Sequence, residues 1–303
     1  MSCTSVRKIA IVGAAGELGR RIVNQIIDVA GVQIVATSRD RRRLNDLFAN
    51  TSADCRELDL DDTRAAANTL NDCDIIVFCP ILSLSAPTAL RLRELGSKAR
   101  LVLFSSNNVG LDQDAPVYKA LRQAENQIDQ LPHPWAMIRP TMIYGTRDDG
   151  NLGRLMKLAR KSPILPLVGK GQALQQPVHY DDLAGLVVKL IQDGSWKDKK
   201  IGAAGPDVCT LRELYSSIVE ASGKRPRVVR VPTKLLTSVI RGAERLGLKL
   251  PLSSAQLSRI ETDKLPTWSM LEDWSGQVSL KDGLERIARQ IDDQDDRIEM
   301  QKT

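Results

Sequence analysis

Histidine, cysteine and aromatic residues are all scarce in this sequence. Its two histidines, His133 and His179, are far apart, and its five cysteines are scattered, with no pair at metal-ligand spacing. These absences argue against a zinc finger or ribbon and predict a chain with no structural metal. An odd number of scattered cysteines also argues against a disulfide framework and favours a reducing compartment, so we expect a cytoplasmic protein. Aromatic residues make up 4% of the chain, which predicts a mainly aliphatic core.

Long apolar runs and nucleic-acid motifs are absent as well. No stretch is long enough to cross a bilayer, and we expect no signal peptide. The net charge is +6, but the sequence has no run of Lys and Arg interleaved with aromatic residues, so nucleic acid is not an expected partner. A small excess of positive charge instead suits an anionic small molecule.

The first feature that indicates chemistry is a glycine-rich turn near the N-terminus. A short apolar run at 9–12 precedes Gly13, Gly16 and Gly19, and apolar residues then recur at helical spacing as far as Ile27. Strand, tight turn and helix in this order are the context of a dinucleotide-binding turn. The glycines let backbone N–H groups approach a pyrophosphate, whose charge the helix N-terminus favours. The predicted contacts in this turn are Gly13, Ala15, Gly16, Glu17, Leu18 and Gly19.

The end of the second predicted strand indicates which dinucleotide binds. An acidic residue usually stands there to bind the ribose 2′-OH of NAD, but Arg39 lies near that position and can bind the 2′-phosphate of NADP. We therefore expect NADP rather than NAD. Asp59, near the end of the third strand, is expected to accept a hydrogen bond from the adenine amino group. The other predicted cofactor contacts lie at the carboxyl ends of this and later strands, where open parallel sheets bind ligands: Leu60, Cys79, Pro80, Ser105 and Pro140.

Strands and helices alternate through the first half of the chain. Apolar strands separated by helical stretches are typical of an α/β fold with a doubly wound parallel sheet. We predict a Rossmann domain over residues 1–150 and a smaller substrate-binding lobe over 151–303, with residues 183–205 packing back on the first domain. The polar stretch that starts at Asp292 is expected to fray.

Three further motifs point to a family. The glycine turn is followed by Ser105-Ser106, by Arg139-Pro140 with Tyr144-Gly145, and by His-Tyr-Asp-Asp-Leu-Ala at 179–184. In this order they resemble the extended and atypical short-chain dehydrogenase/reductases, specifically the NAD-dependent epimerase/dehydratase family, over about residues 6–232. The resemblance implies an NAD(P)-binding Rossmann domain with a smaller C-terminal substrate lobe.

The resemblance also implies an acid–base site. The family places a Ser or Thr after the fifth strand and a Tyr-x-x-x-Lys pair on the next helix, where the tyrosine exchanges a proton with a hydroxyl or carbonyl. Ser106 is the best match for the hydroxyl donor, with Ser105 as the alternative, and Tyr118 matches the tyrosine. Arg122 stands in place of the lysine and can supply positive charge on the same helix face. The implied substrate contacts are Asn107, Thr141, Tyr144, Asn151 and His179.

Two classes of function fit these motifs. The first is an NADP-dependent oxidoreductase or epimerase acting on a hydroxyl or carbonyl of a sugar-like or polyprenyl-linked substrate. The second is a non-catalytic nucleotide-binding protein: an assembly factor or subunit, as in relatives associated with respiratory complex I, or a sensor of the NADP/NADPH ratio. Arg122 in place of lysine favours the second class. The intact glycine turn and the Ser106–Tyr118 pair favour the first.

The expected partners are a small-molecule substrate and a second copy of the chain. The family resemblance implies a homodimer through two helices that flank the sheet. A basic amphipathic helix predicted over Lys234–Leu246 fits a lid on the substrate lobe, which we prefer, or contact with an anionic membrane surface.

Overall fold

The computed structural model describes residues 7–112, 114–132, 134–193, 199–234, 238 and 261–300, with backbone alone at 295 and 297–300. The helix predicted over Lys234–Leu246 lies almost wholly outside the described residues, and so does His133.

The described chain contains both strands and helices along its length. The strands are β1 (Arg7–Val12), β2 (Val32–Ser38), β3 (Asp54–Glu57), β4 (Ile75–Ile81), β5 (Arg100–Phe104), β6 (Trp135–Pro140), β7 (Ile143–Tyr144), β8 (Ile164–Val168), β9 (Leu174–Gln175), β10 (Val178–His179), β11 (Lys199–Ala203), β12 (Cys209–Thr210) and β13 (Arg227–Val231). The helices are α1 (Glu17–Ile26), α2 (Arg41–Leu47), α3 (Thr63–Leu70), α4 (Leu82–Glu94), α5 (Asn108–Leu111), α6 (Pro116–Ile128), α7 (Leu152–Lys161), α8 (Tyr180–Gln192), α9 (Leu211–Ala221) and α10 (Leu280–Met300).

The chain folds into two compact units, each made of segments that are separate in sequence. Unit 1 comprises Met1–Pro140, Tyr180–Ala203 and Pro266–Trp274, and unit 2 comprises Thr141–His179, Ala204–Leu265 and Ser275–Thr303. The boundary expected at residue 150 therefore lies inside unit 2. The expected return of 183–205 corresponds to α8 and β11, which both belong to unit 1.

Unit 1 is organised around a seven-stranded parallel sheet in the order β11-β6-β5-β4-β1-β2-β3. Its inner strands β1, β4 and β5 are mainly apolar, as expected of strands whose two faces are both covered. On one face, Ala10 and Val12 share a core with residues of α3, α4 and α6. On the other face, Ile9 and Ile11 are also fully buried, and α1 packs against β1 and α8. The predicted doubly wound parallel sheet is confirmed.

Unit 2 has a core of its own, formed by α7, β8, α9 and α10. Its strands pair two by two, as β7 with β10, β8 with β13 and β9 with β12. The expectation that the chain frays from Asp292 is wrong, because α10 continues to Met300. Arg160 on α7 supports this continuation by donating Nη2 to Asp292 Oδ2 at 3.1 Å.

Candidate functional site: a dinucleotide turn and a polar network

The glycine turn joins the carboxyl end of β1, the strand next to the central strand β4 in unit 1, to α1. Gly13 has a φ of +80°, a conformation that residues other than glycine rarely adopt. Its N–H and that of Ala14 donate to the Thr37 carbonyl, at 3.0 and 2.9 Å. A Cβ at Gly19 would lie 2.4 Å from the Gly13 carbonyl oxygen, so only glycine lets α1 pass this close to the turn.

The start of α1 fits an anionic group. Gly16 is its N-cap residue, and within the described chain no side chain caps this N-terminus. The N–H groups of the first turn and the helix dipole therefore suit a pyrophosphate. The turn also lies at the carboxyl end of β1. From β1 the chain adds β2 and β3 on one side of the sheet and then β4, β5 and β6 on the other. Open parallel sheets bind ligands at such a point, where the strand order changes side. The residues at 13–19 thus fit a dinucleotide.

Glu17 carries a negative charge in the first turn of α1. Arg21 donates to its carboxylate and to its carbonyl, and Arg20 donates to the same carboxylate at 3.2 Å. Burial acts to raise the pKa of Glu17, but the hydrogen bonds and charges of the two arginines outweigh burial and lower it. Arg21 also donates to Asp181 on α8 at 2.8 Å. The charge of Glu17 is therefore compensated locally, which reduces its repulsion of a phosphate at this helix end.

Arg39 follows β2 directly and is exposed. The next residue, Asp40, uses its side chain to cap α2 by accepting a hydrogen bond from the Arg43 N–H at 3.0 Å. Arg42 and Arg43 occupy exposed positions at the start of α2, as a solvated charge run does. The carboxylate nearest to Arg39 in sequence is thus committed to a helix cap, and the end of β2 presents a cation.

The ends of β3 and β4 carry other predicted cofactor contacts. Asp59 is exposed, whereas Leu60 is half-buried and packs against the core of unit 1. Pro80 lies beside the glycine turn, because a Cβ at Gly13 would be 3.2 Å from its Cδ. Burial raises the pKa of the neighbouring Cys79 thiol to about 12, so this side chain offers an uncharged surface rather than a nucleophile.

A buried ion pair connects α6 to β6. Arg139 donates Nε to Oε1 and Nη2 to Oε2 of Glu125, at 2.8 and 2.5 Å. The hydroxyl of Ser105, the first residue after β5, donates to Oε1 of the same carboxylate at 2.5 Å. All three side chains are buried. Ser105, predicted as a cofactor contact or alternative hydroxyl donor, is thus buried and hydrogen-bonded to Glu125. Pro140, which follows Arg139, is buried at the end of β6.

This network continues into a strap, the segment Pro266–Trp274. The N–H and the hydroxyl of Thr267 donate to Asn107 Oδ1, at 2.7 and 3.0 Å. Arg139 Nη1 donates to the Thr267 hydroxyl at 3.3 Å, and the guanidinium lies over the Trp268 ring, 3.8 Å from its centroid. Asn107 is buried, and its amide oxygen holds the strap, whereas the sequence predicted a substrate contact.

Ser106 and Tyr118 both occupy half-buried positions close to this network. The Ser106 Oγ accepts a hydrogen bond from the Asn108 N–H at 3.3 Å. The Asn108 amide Nδ2 donates to the Tyr118 hydroxyl oxygen at 3.0 Å, which leaves the hydroxyl proton for another acceptor. Arg122, one turn further along α6, donates Nη1 to the Val109 carbonyl at 2.9 Å. These bonds bring the turn after β5 and the first half of α6 together.

Two of the predicted substrate contacts, Tyr144 and His179, lie in the interior of unit 2. Each is 1% exposed, and their rings meet edge to face with centroids 5.3 Å apart. The Tyr144 hydroxyl donates to the Ser279 carbonyl at 3.3 Å. A Cβ at Gly145 would lie 2.3 Å from His179 Nε2, so the backbone closes tightly on the imidazole. The family resemblance implied substrate contacts at these two residues, whereas both side chains are buried.

Thr141 and Asn151 also bond to the backbone of unit 2. The Thr141 hydroxyl donates to the Gln176 carbonyl, and the Asn151 amide donates to the Ile143 carbonyl at 2.9 Å. Asn151 is exposed at the start of α7, and Thr141 is half-buried. The side chain of Gln176 donates to the Gly205 carbonyl at 2.8 Å, so this stretch is held by neutral hydrogen bonds.

Sequence reasoning missed the contributions of Glu125, Asn108 and the strap. Glu125 did leave a signal: it lies seven residues after Tyr118, on the buried stripe of α6 that includes Leu121 and Ile128. A carboxylate in an apolar stripe predicts a buried cationic partner. Thr267 left no such signal, because it is separated from Arg139 by 128 residues in sequence.

The comparison with known families decides the class of protein. A family model described as NAD(P)H-binding matches residues 13–193, starting at the first glycine of the turn. The chain belongs to this family. The match extends from the glycine turn to the end of α8, and so spans more than half of the chain. It agrees with the resemblance to the extended short-chain dehydrogenase/reductases of the epimerase/dehydratase type.

Two curated relatives are subunits of respiratory complex I. The Arabidopsis thaliana protein NADH dehydrogenase [ubiquinone] 1 alpha subcomplex subunit 9, mitochondrial, is 28% identical over 177 residues, which is 57% of this chain and 44% of the relative. The Neurospora crassa NADH-ubiquinone oxidoreductase 40 kDa subunit, mitochondrial, is 25% identical over 264 residues, covering 81% of this chain and 68% of the relative. The chain thus spans less than half of the Arabidopsis relative.

The solved structures similar to this chain share its fold. UDP-glucuronic acid 4-epimerase from Bacillus cereus, in complex with NAD, superposes with a TM-score of 0.72 at 15% identity, covering 95% of this chain and 99% of the epimerase. dTDP-glucose 4,6-dehydratase from Bacillus anthracis, also in complex with NAD, gives a TM-score of 0.70 at 13% identity, covering 96% of this chain and 98% of the dehydratase.

Two absences apply to the described part of the chain. No helix there is long and apolar enough to cross a membrane. The same residues contain no group of three or more His, Cys, Asp or Glu side chains arranged to hold a metal ion.

Proposed function

We propose that this chain is an NADP(H)-dependent oxidoreductase or epimerase whose nucleotide binds at the turn 13–19. The observation that carries the proposal is the start of α1, where a glycine turn precedes a helix N-terminus that no described side chain caps. Arg39 supports NADP over NAD, because a guanidinium pairs strongly with a phosphate. The NAD bound to the similar epimerase and dehydratase structures supports a nicotinamide cofactor in general.

The proposed chemistry is proton exchange at a substrate oxygen, coupled to hydride transfer by the bound nicotinamide. Tyr118 would donate or accept that proton, and the Ser106 hydroxyl would orient the oxygen. Asn108 supports this assignment, because its amide donates to the phenol oxygen at 3.0 Å and thereby holds the Tyr118 side chain beside the turn that carries Ser106. A hydroxyl or carbonyl on a sugar-like or polyprenyl-linked molecule is the proposed substrate.

Titration of the purified chain with NADPH and with NADH, followed by nicotinamide fluorescence, tests the nucleotide site. Mass spectrometry of nucleotide released on denaturation identifies what the protein retains. We expect tighter binding of NADPH than of NADH. No change in emission with either nucleotide would end the proposal.

Substitution of Tyr118 tests the chemistry. NADPH oxidation is followed with a panel of keto-sugars and polyprenyl-linked ketones, and Tyr118→Phe should lower turnover by roughly 10²–10⁴-fold without changing NADPH affinity. Tyr215→Phe, in the core of unit 2, is the matched control and should retain the rate. If Tyr118→Phe turns over as fast as the unmodified chain, Tyr118 is not the acid–base group.

A second candidate is a nucleotide-binding assembly factor or subunit without catalysis. Two observations favour it: the complex I subunits among the relatives, and Arg122, whose guanidinium donates to the Val109 carbonyl. A planar guanidinium held in this way is a poor substitute for the mobile ammonium of lysine. Tight NADPH binding with neither oxidation of NADPH nor epimerisation of any sugar in the panel, together with a stable complex with other proteins, would select this candidate over the enzyme.

A further inference from the structure

The polar network that surrounds the turn after β5 is continuous. Ser105 bonds to Glu125, Glu125 to Arg139, Arg139 to Thr267, and Thr267 to Asn107. Its two ends, Ser105 and Asn107, lie on the same turn. The network therefore holds that turn from two sides, through α6 and β6 on one and through the strap on the other.

Stability alone is a weak reason for this arrangement. Glu125 and Arg139 are 4% and 8% exposed, and transfer of two charges into an interior carries a desolvation penalty that their attraction often only offsets. A well-packed apolar pair of similar volume often stabilises a protein equally well or better. The polar pair does provide fixed geometry, because Arg139 Nε donates to one oxygen of the Glu125 carboxylate and Nη2 donates to the other.

The geometry that is fixed belongs to the candidate site. Ser105 and Asn107 point into the network, and the residues next to them, Ser106 and Asn108, carry the candidate chemistry. Asn108 donates to the hydroxyl oxygen of Tyr118, which stands on α6, the helix that also carries Glu125. Glu125 thus ties α6 to the turn through Ser105 and to β6 through Arg139, and the turn and α6 are the two elements that Asn108 bridges.

We propose that Glu125 and Arg139, held by Thr267 of the strap, are positioning residues that set the Asn108–Tyr118 hydrogen bond. They act through Ser105 and Asn107 and touch neither substrate nor nucleotide. The inference rests on the proposed function, because the position of the Tyr118 hydroxyl matters only if Tyr118 exchanges a proton with a substrate. The inference extends the candidate site to residues outside the glycine turn. The strap residues are also far from the rest of the site in sequence.

The first test replaces the ion pair with apolar residues. In Glu125→Leu/Arg139→Met the melting temperature should be retained or raised, because both charges are removed together. O-acetylation of Tyr118 by N-acetylimidazole, followed by mass spectrometry, reports how its phenol oxygen is held. We expect this modification to be several-fold faster in the double variant and to match the rate in Asn108→Ala. The exposed pair on α4 provides the control, Arg91→Gln/Glu94→Gln, which should leave the rate unchanged.

A milder variant covers the case in which the double variant does not fold. Thr267→Val removes the hydroxyl that joins Arg139 to Asn107 and keeps the backbone N–H. Thr267→Val should raise the rate of Tyr118 acetylation, as the double variant should. An unchanged rate in a folded double variant, or in Thr267→Val where the double variant fails to fold, would overturn the inference.

Fluorescence of bound NADPH separates this inference from the function on which it rests. If the unmodified chain binds NADPH and Tyr118 reacts equally in all variants, the positioning role is wrong and the nucleotide site stands. If the unmodified chain does not bind NADPH, the proposed function fails and the positioning role falls with it. If NADPH affinity is retained while Tyr118 becomes more reactive, both are supported.

Discussion

The carbonyl oxygen of Gly13 determines which residue can stand at position 19. Alanine normally stabilises a helix relative to glycine by about 0.5–1 kcal/mol, because it loses less conformational entropy. At Gly19 the added Cβ would lie 2.4 Å from this oxygen and 2.7 Å from Ala14 Cα, both backbone atoms that cannot yield without moving the turn. Steric conflict therefore outweighs the gain in helix propensity.

Gly19→Ala should accordingly lower the free energy of unfolding by about 1–3 kcal/mol, the range of a small overpacking change, and weaken NADPH binding. Gly185→Ala is the control, because Gly185 also lies inside a helix, α8, and has open space around its Cβ position. It should be neutral or stabilising. Denaturant unfolding and NADPH titration of both variants measure the contrast, and equal effects would contradict this steric argument.

The proposed preference for NADPH over NADH is also assigned to one residue, Arg39. Arg39→Ala should remove most of the preference for NADPH over NADH, a loss of about 1–3 kcal/mol for a charge-assisted contact. Arg42→Ala removes an equal charge from the nearby start of α2 and should leave the preference in place. Dissociation constants for both nucleotides in the three proteins provide the measurement. Equal affinities in the unmodified chain would refute the assignment to Arg39.

At the level of elements, local sequence patterns predicted the sheet well. β1, β4 and β5 are short apolar runs, and both faces of the sheet are covered, so burial and sequence pattern agree. The glycine turn was predictable for the same reason, since its strand, turn and helix are adjacent in sequence.

The strap could not be predicted in this way. Thr267 donates to Asn107 across 160 residues and is half-buried without belonging to a helix or strand. No periodicity marks such a segment, and only the fold brings it to the ends of β5 and β6. The burial of Tyr144 and His179 was missed for a related reason: Tyr144 packs in a core that distant segments of unit 2 complete, and the His179 ring lies edge to face against it.

The start of α9 offers a prediction for a single element. Thr210 accepts a hydrogen bond from the Glu213 N–H at 3.2 Å, and Glu213 accepts one from the Thr210 N–H at 2.7 Å, so the two residues form a capping box. Thr210→Ala should lower the free energy of unfolding by about 0.5–2 kcal/mol, because it leaves a first-turn N–H without its side-chain acceptor. Ser216→Ala, at an exposed position within α9, should have a smaller effect. Chemical denaturation compares the two, and an unchanged midpoint in Thr210→Ala would contradict the role of the cap.

At the scale of the whole molecule, α4 and α6 carry exposed apolar residues that a second copy of the chain would cover in the expected homodimer. Leu84 and Val117 are 52% and 51% exposed, and their helices pack side by side on one face of the sheet. We expect the chain to form a homodimer through these helices. Leu84→Glu/Val117→Glu should convert it to a monomer in size-exclusion chromatography with light scattering.

Val208→Glu is the control for the dimer. Val208 is 53% exposed and belongs to unit 2, so an added charge there should leave the dimer intact. A monomeric unmodified chain at micromolar concentration, or a dimer that survives the double substitution, would show that α4 and α6 do not form the interface.

The position of β11 at the rim of the sheet has a consequence for any shortened version of this protein. A fragment that stops at residue 193 would keep the glycine turn and α8 but lose β11 and the strap. β6 would then present a row of open N–H and C=O groups to solvent, and Arg139 would lose the Trp268 ring. Bare sheet rims recruit other strands, so such a fragment should self-associate into β-rich aggregates even though its nucleotide-binding turn is intact.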